Sequence, residues 1–586
     1  MKTFDILIAG FGTAGAMAAI AAARRGASVL VLEKSTYPGG THTGGFIPSF
    51  YRQKPVGLSA ELDRRACEIA RRENLSVIEA KKNLFEAEAV EAGAKVRYGA
   101  LPVGVTVRDG VLVSVRWLED GQLFDAACTV ALDATGDAAL CRLAGCELLK
   151  GRDSDGQFQP FTNTMCVGPG GGLYAANFDA GRIDQTSAAE LSRGMLETMS
   201  VHLSNDFSSG TRLLAPADLP GIREGVHIVA EEQFTLPDFF AGKPEPETLG
   251  YMHSNLDTHA TDMALESTLF QDWMVGSSMW GTELWFPVPR RALLPRGTKN
   301  LLAASRCWGV DHDLGHALRM NPGMGMLGEA AAEWAVLALP RHGDLAQVPY
   351  AELAARLPLP PSPLAENDRV LKLDDEAIRA GLAGNRPGFA QWAARDMDLG
   401  KLKKWFADAP DGDFKRHAAF ALALRGDPAG LSLLRQMVLD RDPFTPETSR
   451  KYNRPRGVAA LYFLGRLADA PSIDLIGKLL AEPPPEHAYE YRTHAIAALL
   501  RIGEAHRAAR ERAAVLLKAF AEDPAQTLVA RLKGTVATMK RQDAAFRIVI
   551  AGRLDAWSIP HRIREALDAM PLDFHEERMA ERVGRA

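Results

Sequence analysis

The chain opens on a short apolar run with strand character, Phe4-Asp5-Ile6-Leu7-Ile8-Ala9. It leads into Gly10-Phe11-Gly12-Thr13-Ala14-Gly15, an alanine-rich helix over residues 14–25 ended by Gly26, and a second apolar run, Ser28–Leu32, that finishes at Glu33. This order predicts a βαβ unit with a glycine-rich first turn and an acid at the tip of its second strand. Helical periodicity follows over 57–92. From 94 to 135 the pattern becomes that of strands. Asp109-Gly110 and Asp120-Gly121 mark hairpin turns between Val103–Val107, Val111–Trp117 and Phe124–Ala134, a meander that returns the chain to the first sheet. Residues 149–295, rich in glycine, aromatic and polar residues, read as a second layer. Within it Val167–Gly172 reads as a loop, because neither an amphipathic helix nor an acid follows. A further strand, Leu301–Arg306, precedes a helix at 323–338.

Beyond Pro358, Pro360, Pro361 and Pro363 the pattern is helical and repetitive. The motif around Arg416-His417-Ala418-Ala419 returns around Arg456 and again around Arg492-Thr493-His494-Ala495. The spacing, about 36–40 residues, is near the period of HEAT-type helical pairs. The expected role of this region is a structural cap or dimer contact, or else a docking surface for a protein partner.

The opening unit has a chemical purpose. Gly10 permits the tight turn, Gly12 lets a pyrophosphate approach the backbone, and Gly15 allows close helix–strand packing. The helix N-terminus supplies N–H donors and partial positive charge, and Glu33 can accept from a ribose hydroxyl pair. A dinucleotide is expected. The glycine-dense loop Pro38-Gly39-Gly40-Thr41-His42-Thr43-Gly44-Gly45 suits the ribityl chain and ring of a flavin.

Together with Asp133-Ala134-Thr135-Gly136-Asp137, Ala144-Gly145, Gly151-Arg152, Pro287 through Gly297 and Arg306-Cys307 through Gly328, these motifs resemble the FAD-dependent oxidoreductases of the glutathione-reductase-like superfamily. The nearer match is the branch related to fumarate reductases, and the resemblance spans about residues 4–340. It implies FAD held by Gly10, Gly12, Thr13, Ala14, Gly15, Glu33, Lys34, Gly39, Gly40, Thr41, Thr43, Gly44, Thr135, Gly136, Asp137, Arg306, Asn321, Gly323, Met324 and Gly325. The expected fold is α/β: a Rossmann-like FAD-binding domain (1–148 and 296–345), an α+β substrate domain (149–295), a linker (346–364) and an all-α HEAT-like solenoid (365–586).

Candidate chemistry centres on Trp308–Gly323. In the resembling flavoproteins this segment passes the isoalloxazine, and its final helix points at the N1–C2=O edge. His312 and His316 are candidate proton carriers, or they hold the loop by hydrogen bonds. Arg319 is a candidate anchor for a substrate carboxylate, or a contact to the flavin. The i, i+4 histidine spacing suits a metal only on a helix; Gly309 and Gly315 argue for a loop, and no metal is expected. His253 and His259 form a second candidate proton-handling surface. Arg223 and Glu224 are candidates for a buried ion pair, Arg290 and Arg291 for structural roles, and a covalent flavin tether at His42 is disfavoured.

The remaining features work by exclusion. The 6 cysteines include no C-x-x-C and none in the loop after Gly39-Gly40, which argues against disulfide redox chemistry and structural zinc. Net charge is -5, which gives no basic excess for nucleic acid, and no apolar run is long enough to span a bilayer. Sparse cysteine and the absence of a signal core lead to an expected cytoplasmic location. With no second dinucleotide fingerprint, an NAD(P)H domain is not expected. The leading functional expectation is hydride transfer between flavin N5 and a small polar substrate, hydroxylated or carboxylated. The alternatives are a flavin monooxygenase and an FAD-stabilised assembly protein that acts through its helical repeats.

Overall fold

Ile6, Leu7, Ile8 and Ala9 are fully buried, as a strand covered on both faces requires. They lie in β1 (Lys2–Ala9), a central strand of a 7-stranded sheet. The computed structural model describes residues 1–169, 174–179, 182–205, 211–259, 262–526, 528 and 536–558. α1 (Thr13–Arg24) joins β1 to the parallel β2 (Val29–Glu33). Helices α2 (Gly57–Glu73) and α3 (Val77–Glu91) lead to β3 (Lys95–Tyr98), which pairs parallel with β2. β4 (Leu101–Arg108), β5 (Val111–Glu119) and β6 (Gln122–Asp133) form the antiparallel meander. Both of its turns carry positive φ at Asp and Gly (Asp109 50°, Gly110 77°; Asp120 49°, Gly121 75°), the signature of type I′ hairpins.

β6 is long enough to serve two neighbours on one edge. Its first half pairs with β5 and its last three residues pair parallel with Leu301–Ala303, while β1 runs along its other edge. The sheet order β3-β2-β1-β6-β5-β4 is Rossmann-like in its parallel part and mixed overall. The ends of β1 and β6 therefore lie side by side, where Gly10 and Ala134 meet. The helix Asn321–Ala338 packs on α1 so closely that a Cβ on Gly328 would lie 2.0 Å from the Ala14 carbonyl oxygen.

Among the described residues the second layer contains three smaller sheets: Thr162–Pro169 with Tyr174–Asp179 and Thr211–Pro216, Thr248–Ser254 with Leu284–Pro289, and Leu148–Leu149 with His227–Ile228. The expected loop at Val167–Gly172 begins as strand through Pro169; its remainder lies outside the described residues. Residues expected to form a linker include a short helix, Tyr350–Ala354, with Leu353 and Leu357 buried.

The C-terminal region is helical. Asp413–Leu424, Arg456–Arg466 and Ala488–Ala505 each begin near one copy of the repeated motif, and each is followed by a second helix, Leu431–Leu439, Ile473–Ala481 and Arg507–Glu522. Residues 559–586 lie outside the described residues. These helices share one hydrophobic core with the nucleotide-binding layer, and Trp392 packs on Phe240 and Trp273. At the junction Asp272 is buried and accepts hydrogen bonds from Tyr462 Oη and Arg466 Nε, each at 2.7 Å. Burial raises its pKa, against the pull of Arg466. Arg466→Ala leaves that carboxylate with the Tyr462 hydroxyl and the charge of Arg395, and we expect a loss of about 1.5–3 kcal/mol, read as a lowered thermal midpoint.

Candidate active site

A cavity of about 1330 Å³ opens at the junction of β1, β2 and β6. It exceeds the roughly 300–1,000 Å³ of ordinary small-ligand sites, so it has room for a dinucleotide and a second molecule. Gly10 makes its turn at φ 89°, and a Cβ there would lie 2.6 Å from the Ala134 carbonyl oxygen. A Cβ on Gly15 would lie 2.0 Å from the Gly10 carbonyl oxygen. Gly12 differs: the nearest atom to its notional Cβ is Gly40 Cα at 3.9 Å, and it lines the cavity. It stands at the N-cap of α1 with no side chain to satisfy the first-turn N–H groups, which are thus left for an anion. Glu33 is 8% exposed and lines the same cavity; it accepts from Phe11 N–H at 2.5 Å and Ser35 N–H at 2.8 Å. These groups fit a dinucleotide diphosphate and its ribose.

Of the residues the resemblance implies, Gly10, Gly12, Thr13, Ala14, Glu33, Lys34, Gly40, Thr41, Thr135, Asp137, Arg306, Asn321 and Met324 line the cavity. Gly15, Gly39, Thr43, Gly44, Gly136, Gly323 and Gly325 stand behind this wall. They act by spacing: Cβ atoms on Gly39, Gly44, Gly136, Gly323 and Gly325 would lie 2.4–2.7 Å from Thr43, Tyr37, Arg306, Met252 and Ser59, respectively. The Thr43 hydroxyl donates to the Pro38 carbonyl at 2.6 Å.

The model for the family "FAD dependent oxidoreductase" matches residues 5–195 and 175–357. The chain belongs to this family. FAD is its cofactor. FixC of Salmonella typhi is 32% identical over 157 residues, covering 22% of this chain and 36% of FixC. Thiamine thiazole synthase of Methanococcus aeolicus is 32% identical over 121 residues, covering 20% of this chain and 42% of that protein. The chain thus spans well under half the length of these curated relatives. A solved geranylgeranyl bacteriochlorophyll reductase-like protein of Thermoplasma acidophilum aligns over 74% of this chain and 99% of its own, at 13% identity and a TM-score of 0.31. No helix among the described residues is long and apolar enough to cross a membrane.

The oxidoreductase places its four expected catalytic residues in different surroundings. Arg319 lines the cavity and donates to the Asp257 carbonyl at 3.0 Å and to Asp257 Oδ2 at 3.2 Å. Burial, with Arg223 nearby, outweighs Asp257 and lowers its pKa to about 10. His312 and His316 are not among the residues lining the cavity. The segment expected as loop is a helical turn, His312–Gly315, because Asp311 caps it by accepting from Leu314 N–H at 2.8 Å. His312 sits between two carboxylates: Nδ1 is 2.8 Å from Glu224 and Nε2 is 2.8 Å from Glu266. Burial disfavours its cation, but the two carboxylates together outweigh burial and raise its pKa well above 6.5. His316 is fully buried against Phe270, and burial followed by the His312 charge pushes its pKa well below 6.5. His253 lies on Thr248–Ser254 beside Trp285 and Glu283, also outside the cavity lining.

Glu224 and Glu266 were not among the expected catalytic residues. Glu266 also accepts from Arg152 at 2.8 Å, and Asp262 accepts from Arg152 and Arg182 at 2.6 Å each. Glu266, His312 and His316 gather one ligand atom apiece within 4.8 Å, a spacing a metal could use, but Glu266 already faces Arg152, Arg182 and His312. The expected Arg223–Glu224 pairing is replaced at Glu224 by His312 and Gln159 N–H; Arg223 donates to the Pro160 carbonyl at 2.6 Å. Arg290 is buried, donates to Val348 and pairs with Glu247 at 2.9 Å. His42 is buried against Phe50 and is not among the lining residues.

Sequence reasoning did not single out Tyr51, Asp257, Trp280, Arg450, Lys451 or Tyr452, yet all line the cavity. His259 lines it too, with Nε2 3.3 Å from Asp257 Oδ2. Asp257 is disfavoured as an anion by burial, but His259 and Arg319 outweigh this and hold its pKa at about 2.

Proposed function

We propose that this oxidoreductase exchanges a hydride between FAD and a small carboxylated or hydroxylated substrate held by Arg319. The observation that carries the reading is the Arg319–Asp257–His259 constellation on the wall of the FAD cavity. Arg319 can face a carboxylate with two parallel N–H donors. Asp257, an anion at any ordinary pH, orients His259, and the imidazole takes or returns the substrate proton, from O–H of a hydroxy acid or at carbon of an unsaturated acid. FAD, when bound, supplies the two-electron carrier for the substrate's hydride. His259 thereby takes the role expected of His312 and His316.

The wider assignments belong to the same proposal: the glutathione-reductase-like superfamily, the division at 148, 295, 345 and 364, and a HEAT-like solenoid over 365–586. Three successive helix pairs that begin at the repeated motif support the last of these.

The test is anaerobic mixing of the holoenzyme with hydroxy acids and unsaturated acids, the latter after reduction, while the flavin absorbance is followed. A hydroxy acid that bleaches the flavin, or an unsaturated acid that restores it, is the expected result. Arg319→Met should lower the rate at limiting substrate by about 10–100-fold, the value of one lost charge-assisted contact. His259→Gln should cost about 10²–10⁴-fold in the reductive step. If no carboxylate alters the flavin while dithionite bleaches it, the proposal is wrong.

A further inference from the structure

We propose that Arg450 and Lys451, supplied by the helical region, form an outer anion subsite of the FAD cavity, so that the substrate is an acid with at least two anionic groups. This rests on the reading of Arg319 as the inner carboxylate anchor.

Both cations line the cavity together with Tyr452, although they lie about a hundred residues beyond the family match. Both are exposed, whereas the Arg319 side chain is 12% exposed; the two therefore stand at the mouth and Arg319 inside. Neither Arg450 nor Lys451 makes an ion pair with a described residue. The Arg450 guanidinium lies 5.3 Å from the ring centre of Trp280, which presents its charge on an aromatic floor. The Tyr452 ring meets the same indole edge to face, with ring centres 5.1 Å apart. Trp280 in turn donates to the Thr258 carbonyl at 3.3 Å, between Asp257 and His259 in sequence. A continuous set of contacts thus runs from the inner anchor to the outer cations.

The segment carrying these cations is braced. Thr448 accepts from Gly388 N–H at 3.2 Å, and Ser449 accepts from Gly281 N–H at 2.9 Å. Ser449 and Asn453 exchange two hydrogen bonds, at 3.1 and 2.6 Å. Tyr452 holds φ at 59°, a conformation that costs an aromatic residue energy and concentrates at ligand-binding segments. Asp257, already committed to Arg319 and His259, supplies the carboxylate in this part of the wall. A monoanion would satisfy the inner arginine and leave the outer pair facing water. A dianion meets both.

The holoenzyme would be titrated, by calorimetry and by flavin difference spectra, with the straight-chain diacids malonate through adipate and with monoacids of matching length. One diacid should bind about tenfold tighter than its monoacid, as expected for two exposed cations each contributing up to about 1 kcal/mol. In Arg450→Ala/Lys451→Ala the diacid-to-monoacid ratio should fall by about the same factor, and in Arg450→Glu/Lys451→Glu it should fall below one. A ratio that is unchanged in both variants, or equal losses for both ligands, overturns the outer subsite alone. If no carboxylate binds the native holoenzyme, the inner anchor falls and the outer subsite with it.

Discussion

Gly12→Val gives a folded protein that binds FAD more weakly. The notional Cβ at this glycine has no neighbour within 3.4 Å, and its backbone φ of -69° suits any residue. The apoprotein therefore accommodates the side chain without strain. What the branched side chain occupies is the approach of the diphosphate to the uncapped N–H groups of α1. Overpacking of this kind costs roughly 1–3 kcal/mol, so FAD affinity should fall by about 10–100-fold, measured by flavin fluorescence on reconstitution. The control is thermal: the variant should melt where FAD-stripped native protein melts, below the holoenzyme, because ligand binding supplies the difference. Gly15→Val is the contrasting case. Its Cβ would sit 2.0 Å from the Gly10 carbonyl oxygen, so the βαβ unit itself must distort and the apoprotein should lose stability as well. If Gly12→Val keeps native FAD affinity, the diphosphate does not lie on this turn.

The two glycines also show what the sequence could reveal. The first βαβ unit is a local device: the turn, the helix and the acid lie within about thirty residues and follow one another in the order the ligand needs them. The meander was equally legible, because two Asp-Gly pairs fix both turns by backbone conformation alone. The wall of the cavity was not. His312, His316 and Arg319 share a polar, glycine-punctuated segment, and nothing local separates a histidine that faces a cavity from one that faces a carboxylate. That distinction comes from Glu224 and Glu266, which lie 88 and 46 residues before His312. The sequence offers His259 beside His253 as a second candidate, and nothing local tells the two apart: His259 lines the cavity next to Asp257, whose carboxylate meets the distant Arg319, and His253 does not. Arg450 and Lys451 were hidden more deeply. In a chain read as repeats they are turn residues on a solvated edge, and only the packing of the helical region onto Trp280 brings them to the cavity.

The buried histidine gives a second large effect, on stability rather than binding. His312→Gln keeps the size of the side chain but removes a positive charge from between two buried carboxylates. Glu266 retains Arg152, whereas Glu224 is left with His227 at 3.7 Å and the Gln159 N–H. Removing one partner of a buried charge set costs about 3–5 kcal/mol, and the thermal midpoint should drop accordingly. The pH dependence identifies the cause. In the native protein the raised pKa of His312 contributes stability that is fully present below its unfolded value of 6.5 and is lost as pH climbs toward the folded value. Burial, the largest influence on Glu224, favours its neutral form, but His312 and His227 together hold its pKa at about 2. That lowered value contributes stability that is present above 4.5 and is lost as pH falls toward 2. The native protein should therefore be most stable between about pH 4.5 and 6.5 with respect to this cluster. In His312→Gln the sign of the acid limb reverses: Glu224 then gains by protonation, so mild acidification should narrow the gap to the native protein. Thermal midpoints measured from pH 4.5 to 8 decide the matter. A gap that is constant across this range would show that His312 does not carry a charge, and the buried cluster would then be held by hydrogen bonds without the ion pairing described here.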